Sequence, residues 1–121
     1  MIRLKNKQYT CPVDVTLGLV GGKWKILILS HLYQYKKRGF VEIRNNLPDV
    51  SEKMLSQQLK ELETNGLIER KILSAKPLRV EYNLSASGQS LSPLYEFLSQ
   101  WGIQYLKQNG IDYIKDQALY K

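Results

Sequence analysis

Apolar side chains recur every three or four residues from Pro12 to about Thr64, every second residue from Leu67 to Leu84, and every three or four again from Leu91 onward. The change of period from 3.6 to 2 and back predicts helices, then a pair of strands, then a closing helix. Pro12 opens a first short helix as a first-turn residue. Val13, Leu17 and Val20 share one face of it, and Gly21-Gly22 stops it. Lys23 to Tyr35 reads as a second helix with Trp24, Leu27, Ile28, Leu32 and Tyr35 on its buried stripe. After the basic turn Lys36-Lys37-Arg38-Gly39, a short helix from Phe40 to Asn46 turns Ile43 and Leu47 inward and ends before Pro48, which disfavours helix in the preceding residue.

The strongest local signal follows. Ser51 is placed to cap a helix running to about Thr64, with Leu55, Leu59 and Leu62 as its apolar stripe. Asn65-Gly66 ends it, with glycine at the left-handed position. Two alternating segments come next, Leu67–Leu73 (Ile68, Arg70, Ile72) and Arg79–Leu84 (Val80, Tyr82, Leu84), joined by the polar loop Ser74–Leu78 into a hairpin. Ser85 then caps a final long helix, which Pro93 either kinks or truly begins. Leu91, Leu94, Leu98, Trp101 and Tyr105 keep a near-heptad spacing suited to packing against another helix. Ile111, Ile114 and Ala118 are placed to extend that stripe, while residues 1–10 read as a loosely ordered polar arm carrying Arg3, Lys5 and Lys7.

Two short helices, a tight connection, a third helix with a polar outer face and a hairpin make a winged helix-turn-helix in a single α+β, mostly helical domain over residues 1–121. A recognition helix must enter a major groove roughly 12 Å wide without bulky apolar groups on its outer face. Lys53, Ser56, Gln57 and Lys60 meet that demand. Gln57 has the geometry for a bidentate pair with adenine. Lys53, Ser56 and Gln57 are assigned to the bases and Lys60 to the backbone, with Ser51 joining them at the cap. Lys76 and Arg79 on the wing fall beside the minor groove or the flanking phosphates, and Lys23 and Lys25 open the second helix within reach of phosphate.

Charge sharpens this picture. The chain carries 18 Lys and Arg against 11 Asp and Glu, a formal charge of +7, which by itself admits nucleic acid, an acidic membrane surface or an acidic protein. Residues 1–50 hold +6 of it, residues 51–84 hold +1, and residues 85–121 are balanced. The excess therefore lies on the N-terminal arm, second helix and turn, where it would flank a DNA backbone. One cysteine, Cys11, excludes an intrachain disulfide, and with one histidine, His31, it leaves no Cys/His zinc set. No cofactor is expected. No apolar run approaches a membrane span and no apolar stretch follows the N-terminal charges, so the cytosol is the expected compartment. Catalysis has no support: neither a nucleophile–base set nor a Gly-rich phosphate loop is evident. His31 falls on the inner side of its helix and reads as a core or boundary residue.

The segments Cys11-Pro12-Val13, Gly21-Gly22-Lys23-Trp24, Met54–Leu59, Asn65-Gly66-Leu67-Ile68-Glu69-Arg70 and Pro77–Leu84 occur in that order. Together they resemble the HxlR-type family of bacterial transcriptional regulators over about residues 9 to 102. The resemblance implies a homodimeric winged helix-turn-helix protein that reads an inverted repeat of double-stranded DNA. Helices 13–20 and 85–108 would form the dimer interface through Val13, Leu17, Leu94, Leu98, Trp101 and Tyr105, around a DNA-binding core and wing at 23–84. The family commonly joins Arg and Phe directly after this second helix. Here Gly39 separates Arg38 from Phe40, which implies a longer turn.

In several family members a cysteine matching Cys11 senses electrophiles or oxidants. The residue's own setting is compatible, since it precedes a helix whose dipole favours thiolate. A small electrophile or thiol adduct at Cys11, or a disulfide to the partner's cysteine, is then the expected switch. The alternative is a small apolar residue packed in the dimer interface. Two further readings compete with a redox-switched repressor: a regulator answering to a small molecule in an aromatic interface pocket of Tyr95, Trp101 and Tyr105, and a winged-helix module that binds protein instead of DNA.

Overall fold

The helix Lys23–Tyr35 (α2) runs through the centre of the molecule, which a computed structural model describes over residues 1–113. Its buried surface is wider than the expected stripe: Ile28, Leu29, His31 and Leu32 are buried, and Trp24, Leu27 and Tyr35 only half-buried. A helix that is apolar around most of its circumference has neighbours on several sides. Those of α2 are the helix Glu52–Thr64 (α4), the strand Leu78–Leu84 (β4) and the helix Ser92–Gln108 (α6).

Ahead of α2 lies the helix Pro12–Val20 (α1), joined through Gly22 at φ +81°, a region L side chains rarely adopt. Val20 is buried, but Val13 and Leu17, expected on the same face, stand exposed. The last turn of α1 reaches the core and its earlier turns overhang it.

The helix Phe40–Asn45 (α3), a turn with Leu47 and Val50 buried, and α4 form the helix-turn-helix. Ser51 caps α4 as expected, its Oγ accepting the Met54 N–H at 3.0 Å, an interaction whose loss costs about 1 kcal/mol. Leu55, Leu59 and Leu62 are sealed beneath it, each worth roughly 2 kcal/mol in area removed from water. At its end Gly66 takes φ +75°, the Gly66 N–H donates to the Glu63 carbonyl and the Leu67 N–H to that of Leu62, both at 3.0 Å. That is a Schellman stop, and the leucines at its two ends, Leu62 and Leu67, are both buried in the core.

The strand Ile68–Ala75 (β3) pairs antiparallel with β4 from Ile68↔Leu84 to Ala75↔Leu78, with Leu73 bulged between Ile72 and Ser74. The strands therefore run further than Leu67–Leu73 and Arg79–Leu84, and two residues, Lys76-Pro77, make the turn in place of the expected five-residue loop. The basic turn after α2 is more than a turn. Arg38 and Tyr82 exchange both backbone hydrogen bonds, at 3.0 and 2.7 Å, adding a one-residue third strand to the wing sheet on the other side of β4.

At the termini the structure decides between readings and corrects one. Of the two readings of Pro93 it has the second, a true beginning: Ser85 caps a single turn, Ala86–Gln89 (α5), and α6 starts afresh with Pro93 in its first turn, so 85–108 is not one helix. Proline lacks the N–H and clashes with the preceding turn, so it is accommodated where a helix begins. Gly110 at φ +79° closes α6, and Ile111 lies beyond it, while Ile114 and Ala118 fall outside the described residues. Residues 1–10 are not a loose arm. Ile2–Leu4 (β1) and Lys7–Tyr9 (β2) pair antiparallel, and Lys5 and Asn6 between them both adopt positive φ, as the two-residue turns favoured in hairpins require. The Tyr9 ring lies on Gly18 of α1, so close that a Cβ there would sit 2.9 Å from it.

Candidate nucleic-acid interface

The recognition helix α4 has two faces. Lys53, Ser56, Gln57 and Lys60 share the spacing i, i+3, i+4, i+7, and all four are exposed opposite the buried leucines. Ser51 at the cap is also exposed; its oxygen accepts from the helix while its proton remains available to donate. Glu52, the acid in the first turn, is paired with Arg44 of α3 at 3.0 Å, which offsets a charge that would repel phosphate.

Lys25 departs from the expected set. Its ammonium sits 2.7 Å from the Glu61 carboxylate with the side chain only 12% exposed, so it ties α2 to α4 instead of facing outward. The Lys25 hydrogen bond is the main influence holding Glu61 below its usual pKa; Gln57 and Lys7 act in the same direction and burial opposes them. Lys23 is exposed, with its ammonium 4.8 Å from the Trp24 ring. Arg38 is also engaged within the chain: its guanidinium is 2.9 Å from Glu42 and 4.5 Å from the Tyr35 ring centre. Gly39, which separates it from Phe40, donates its N–H to the same Glu42 carboxylate.

On the wing, Lys76 occupies the turn and Arg79 follows it, both exposed. Exposed Ile72, Leu73 and Leu78 surround them, an apolar collar the alternation pattern did not anticipate because the bulge at Leu73 breaks the period.

Cys11 is exposed at the N-cap of α1; its carbonyl accepts the Val15 N–H and its thiol makes no capping bond. Asp14 shares this helix terminus, its carboxylate accepting both the Thr10 N–H and hydroxyl at 2.9 Å, bonds that lower its pKa.

The apolar side chains assigned to dimerisation are mostly outward. Val13, Leu17, Leu98, Trp101 and Tyr105 are between 47% and 65% exposed, and Trp101 and Tyr105 stack with centroids 5.3 Å apart. Leu94 is the exception, half-buried against the chain's own core. Phe97, equally exposed and one turn before Trp101, belongs with them; its four-residue spacing to Trp101 was the available signal. The expected aromatic pocket is not formed by Tyr95, Trp101 and Tyr105. Tyr95 instead lines a groove of about 810 Å³ between α2 and α6, together with Leu27, Tyr33, Ile103 and Leu106. At its wall the Tyr33 hydroxyl donates to Glu96 at 2.5 Å, and the Tyr95 hydroxyl donates to the Gly88 carbonyl at 2.7 Å. Burial pushes the Tyr95 phenol up to about 12. Among the described residues no cluster of His, Cys, Asp and Glu is placed to hold a metal ion, and no helix is long and apolar enough to cross a membrane.

This arrangement recurs in known proteins. The family model for HxlR-like helix-turn-helix proteins matches residues 19–110. The uncharacterized HTH-type transcriptional regulator YdzF of Bacillus subtilis is 48% identical over 99 residues, which cover 82% of this chain and 89% of YdzF. The crystal structure of the HTH-type regulator ytcD superposes with a TM-score of 0.75 at 40% identity, over 81% of this chain and 99% of that one. The redox regulator HypR in its oxidised form superposes with a TM-score of 0.72 at 38% identity, over 76% of this chain and 94% of HypR. With the family match spanning most of the chain and the two faces of α4 in place, this protein belongs to the HxlR-like helix-turn-helix family of transcriptional regulators.

Proposed function

We propose that the protein is a homodimeric repressor that reads an inverted repeat. In this reading α4 lies in the major groove and the wing tip lies beside the minor groove. The observation that carries it is the exposed row Lys53, Ser56, Gln57 and Lys60, held rigidly outward by the leucines beneath. Lys53, Ser56 and Gln57 contact bases. Lys60, Ser51, Lys23, Lys76 and Arg79 hold phosphates, and Lys25 is left out because Glu61 occupies it. The exposed apolar face of α1 and α6 supports a second subunit, since patches of that kind mark association surfaces. Two half-sites must lie about 34 Å apart for both recognition helices to dock, so a small rotation between subunits would release the DNA.

Cys11 is the switch in this reading. It is exposed and stands at the start of a helix carrying part of the association face, and HypR, a redox regulator, shares the fold. The test begins by recovering an operator from a random duplex library. Its affinity is then measured before and after diamide or a quinone, for wild type and Cys11→Ser. Release by wild type alone supports the switch; an equal response of both proteins removes Cys11 from it. A second reading, a response to a small apolar molecule, is favoured by the groove between α2 and α6. It predicts that release survives in Cys11→Ser and is blocked by filling the groove with Ser30→Phe.

A further inference from the structure

The groove between α2 and α6 differs in charge from the molecule around it. In a chain of net charge +7, the described residues that line it include no Lys, Arg or His and a single carboxylate, that of Glu96. The Tyr33 hydroxyl donates to Oε2 of that carboxylate at 2.5 Å, which fixes it on the wall and leaves Oε1 to accept from an occupant. The Tyr33 ring is thereby held next to the carboxylate. Tyr95 lies against it, tilted by 48° with centroids 5.3 Å apart. Leu27, Ile103 and Leu106 supply apolar lining, and the volume of about 810 Å³ falls within the roughly 300–1,000 Å³ of small-ligand pockets.

The groove also has room that the fold does not require. Gly102 lies in the interior of α6, where glycine weakens a helix relative to alanine. Neither its backbone nor its packing calls for glycine: φ is outside the left-handed region, and a Cβ there would have nothing within 4 Å. Gly102 lines the groove, so the missing side chain is space left to an occupant.

We infer that the groove takes a small aromatic amine, its ring against Tyr33 and Tyr95 and its ammonium donating to Glu96. The inference rests on the small-molecule reading of the groove and names the chemical class of the ligand. An ammonium gains from both partners: it makes a charge-assisted hydrogen bond to a carboxylate and is drawn to the face of an aromatic ring. An anionic ligand meets Glu96 as a like charge, with no cation among the described lining residues to offset it. A neutral ligand gains from the apolar walls alone.

The experiment titrates the full-length protein with three indoles of similar size, tryptamine, tryptophol and indole-3-acetate, which are cationic, neutral and anionic at pH 7. Calorimetry gives their affinities for wild type, Glu96→Gln and Gly102→Leu. Glu96 is exposed, so glutamine keeps the shape of the wall without disturbing the core, and leucine at position 102 enters open space. Tryptamine binds wild type about tenfold tighter than tryptophol, the effect of one hydrogen bond to a charged group, and indole-3-acetate binds weakest. Glu96→Gln removes the advantage of tryptamine and leaves tryptophol unchanged, while Gly102→Leu weakens both. Equal affinities of tryptamine and tryptophol for wild type, or tryptamine binding indifferent to Glu96→Gln, overturn the inference and leave a groove for neutral ligands. Failure of all three indoles to bind, as when a second subunit fills the groove, overturns the small-molecule reading together with the inference. So does binding indifferent to Gly102→Leu.

Discussion

His31 makes stability depend on pH in a direction the structure specifies. The ring is fully buried in α2 beside Tyr35, at 4.9 Å between centroids, and its pKa is lowered to about 4. Desolvation is the main cause; the charge of Arg38 adds to it and that of Glu42 works against it. The unfolded ring titrates near 6.5. Between these values the unfolded chain binds a proton that the folded chain refuses, so the stability contributed by neutral His31 is complete above pH 6.5 and is lost as pH falls toward 4. At pH 5 the linkage amounts to about 2 kcal/mol, against a few tenths at pH 7, a sizeable share of the ordinary 5–15 kcal/mol of a small domain. Urea denaturation at fixed protein concentration, at pH 7 and pH 5, measures it in wild type and His31→Leu. Whatever stability the variant starts from, its change between the two pH values should be smaller by about 2 kcal/mol, because the carboxylates, apart from a minor influence of His31 on Glu42, titrate alike in both proteins. Identical pH dependence would mean that the buried ring accepts a proton in place, and the account of its desolvation would fail.

Other expectations follow from the same geometry. Lys53→Ala with Gln57→Ala should abolish discrimination among operator variants, at about 1–3 kcal/mol per lost base contact, while binding to a mixed-sequence duplex persists; competition binding measures both. Leu59→Ala beneath the recognition helix should lower unfolding free energy by about 2–5 kcal/mol and weaken every duplex together. Gly66→Ala, forced into positive φ at the Schellman stop, should cost about 1–2 kcal/mol in the same denaturation assay. If the proposed homodimer pairs through this face, Trp101→Glu should shift it to monomer in sedimentation equilibrium, with an unfolded fraction no larger than wild type's, since the side chain is exposed in the single chain.

Where each element begins and what it buries was legible wherever a local rule acts alone. Ser51 and Ser85 cap because a hydroxyl satisfies an orphan N–H, and Gly66 stops α4 because left-handed backbone excludes a Cβ. Leu55, Leu59 and Leu62 are inside because they share a helical face, and the same spacing puts Lys53, Ser56, Gln57 and Lys60 outside. The family resemblance, carried by ordered short segments, was legible for the same reason: it is written in neighbouring residues. The N-terminal hairpin escaped because three-residue strands leave too few positions for an alternation to stand out, and its turn is Lys-Asn, without the glycine that usually announces one.

What escaped elsewhere depends on distance along the chain. Whether a lysine is free for phosphate cannot be read from its own helix; Lys25 is removed from the set by Glu61, 36 residues later. Arg38 becomes part of a sheet because Tyr82 lies opposite it, and Leu94 belongs to the core while Leu98 does not because α2 covers only one side of α6. Periodicity says which residues lie on a common face, and capping says where a helix stops, because both act over a few residues. Which face meets another element, and which charge finds a partner, are set by packing between segments far apart in sequence, and that packing exists only in the folded chain.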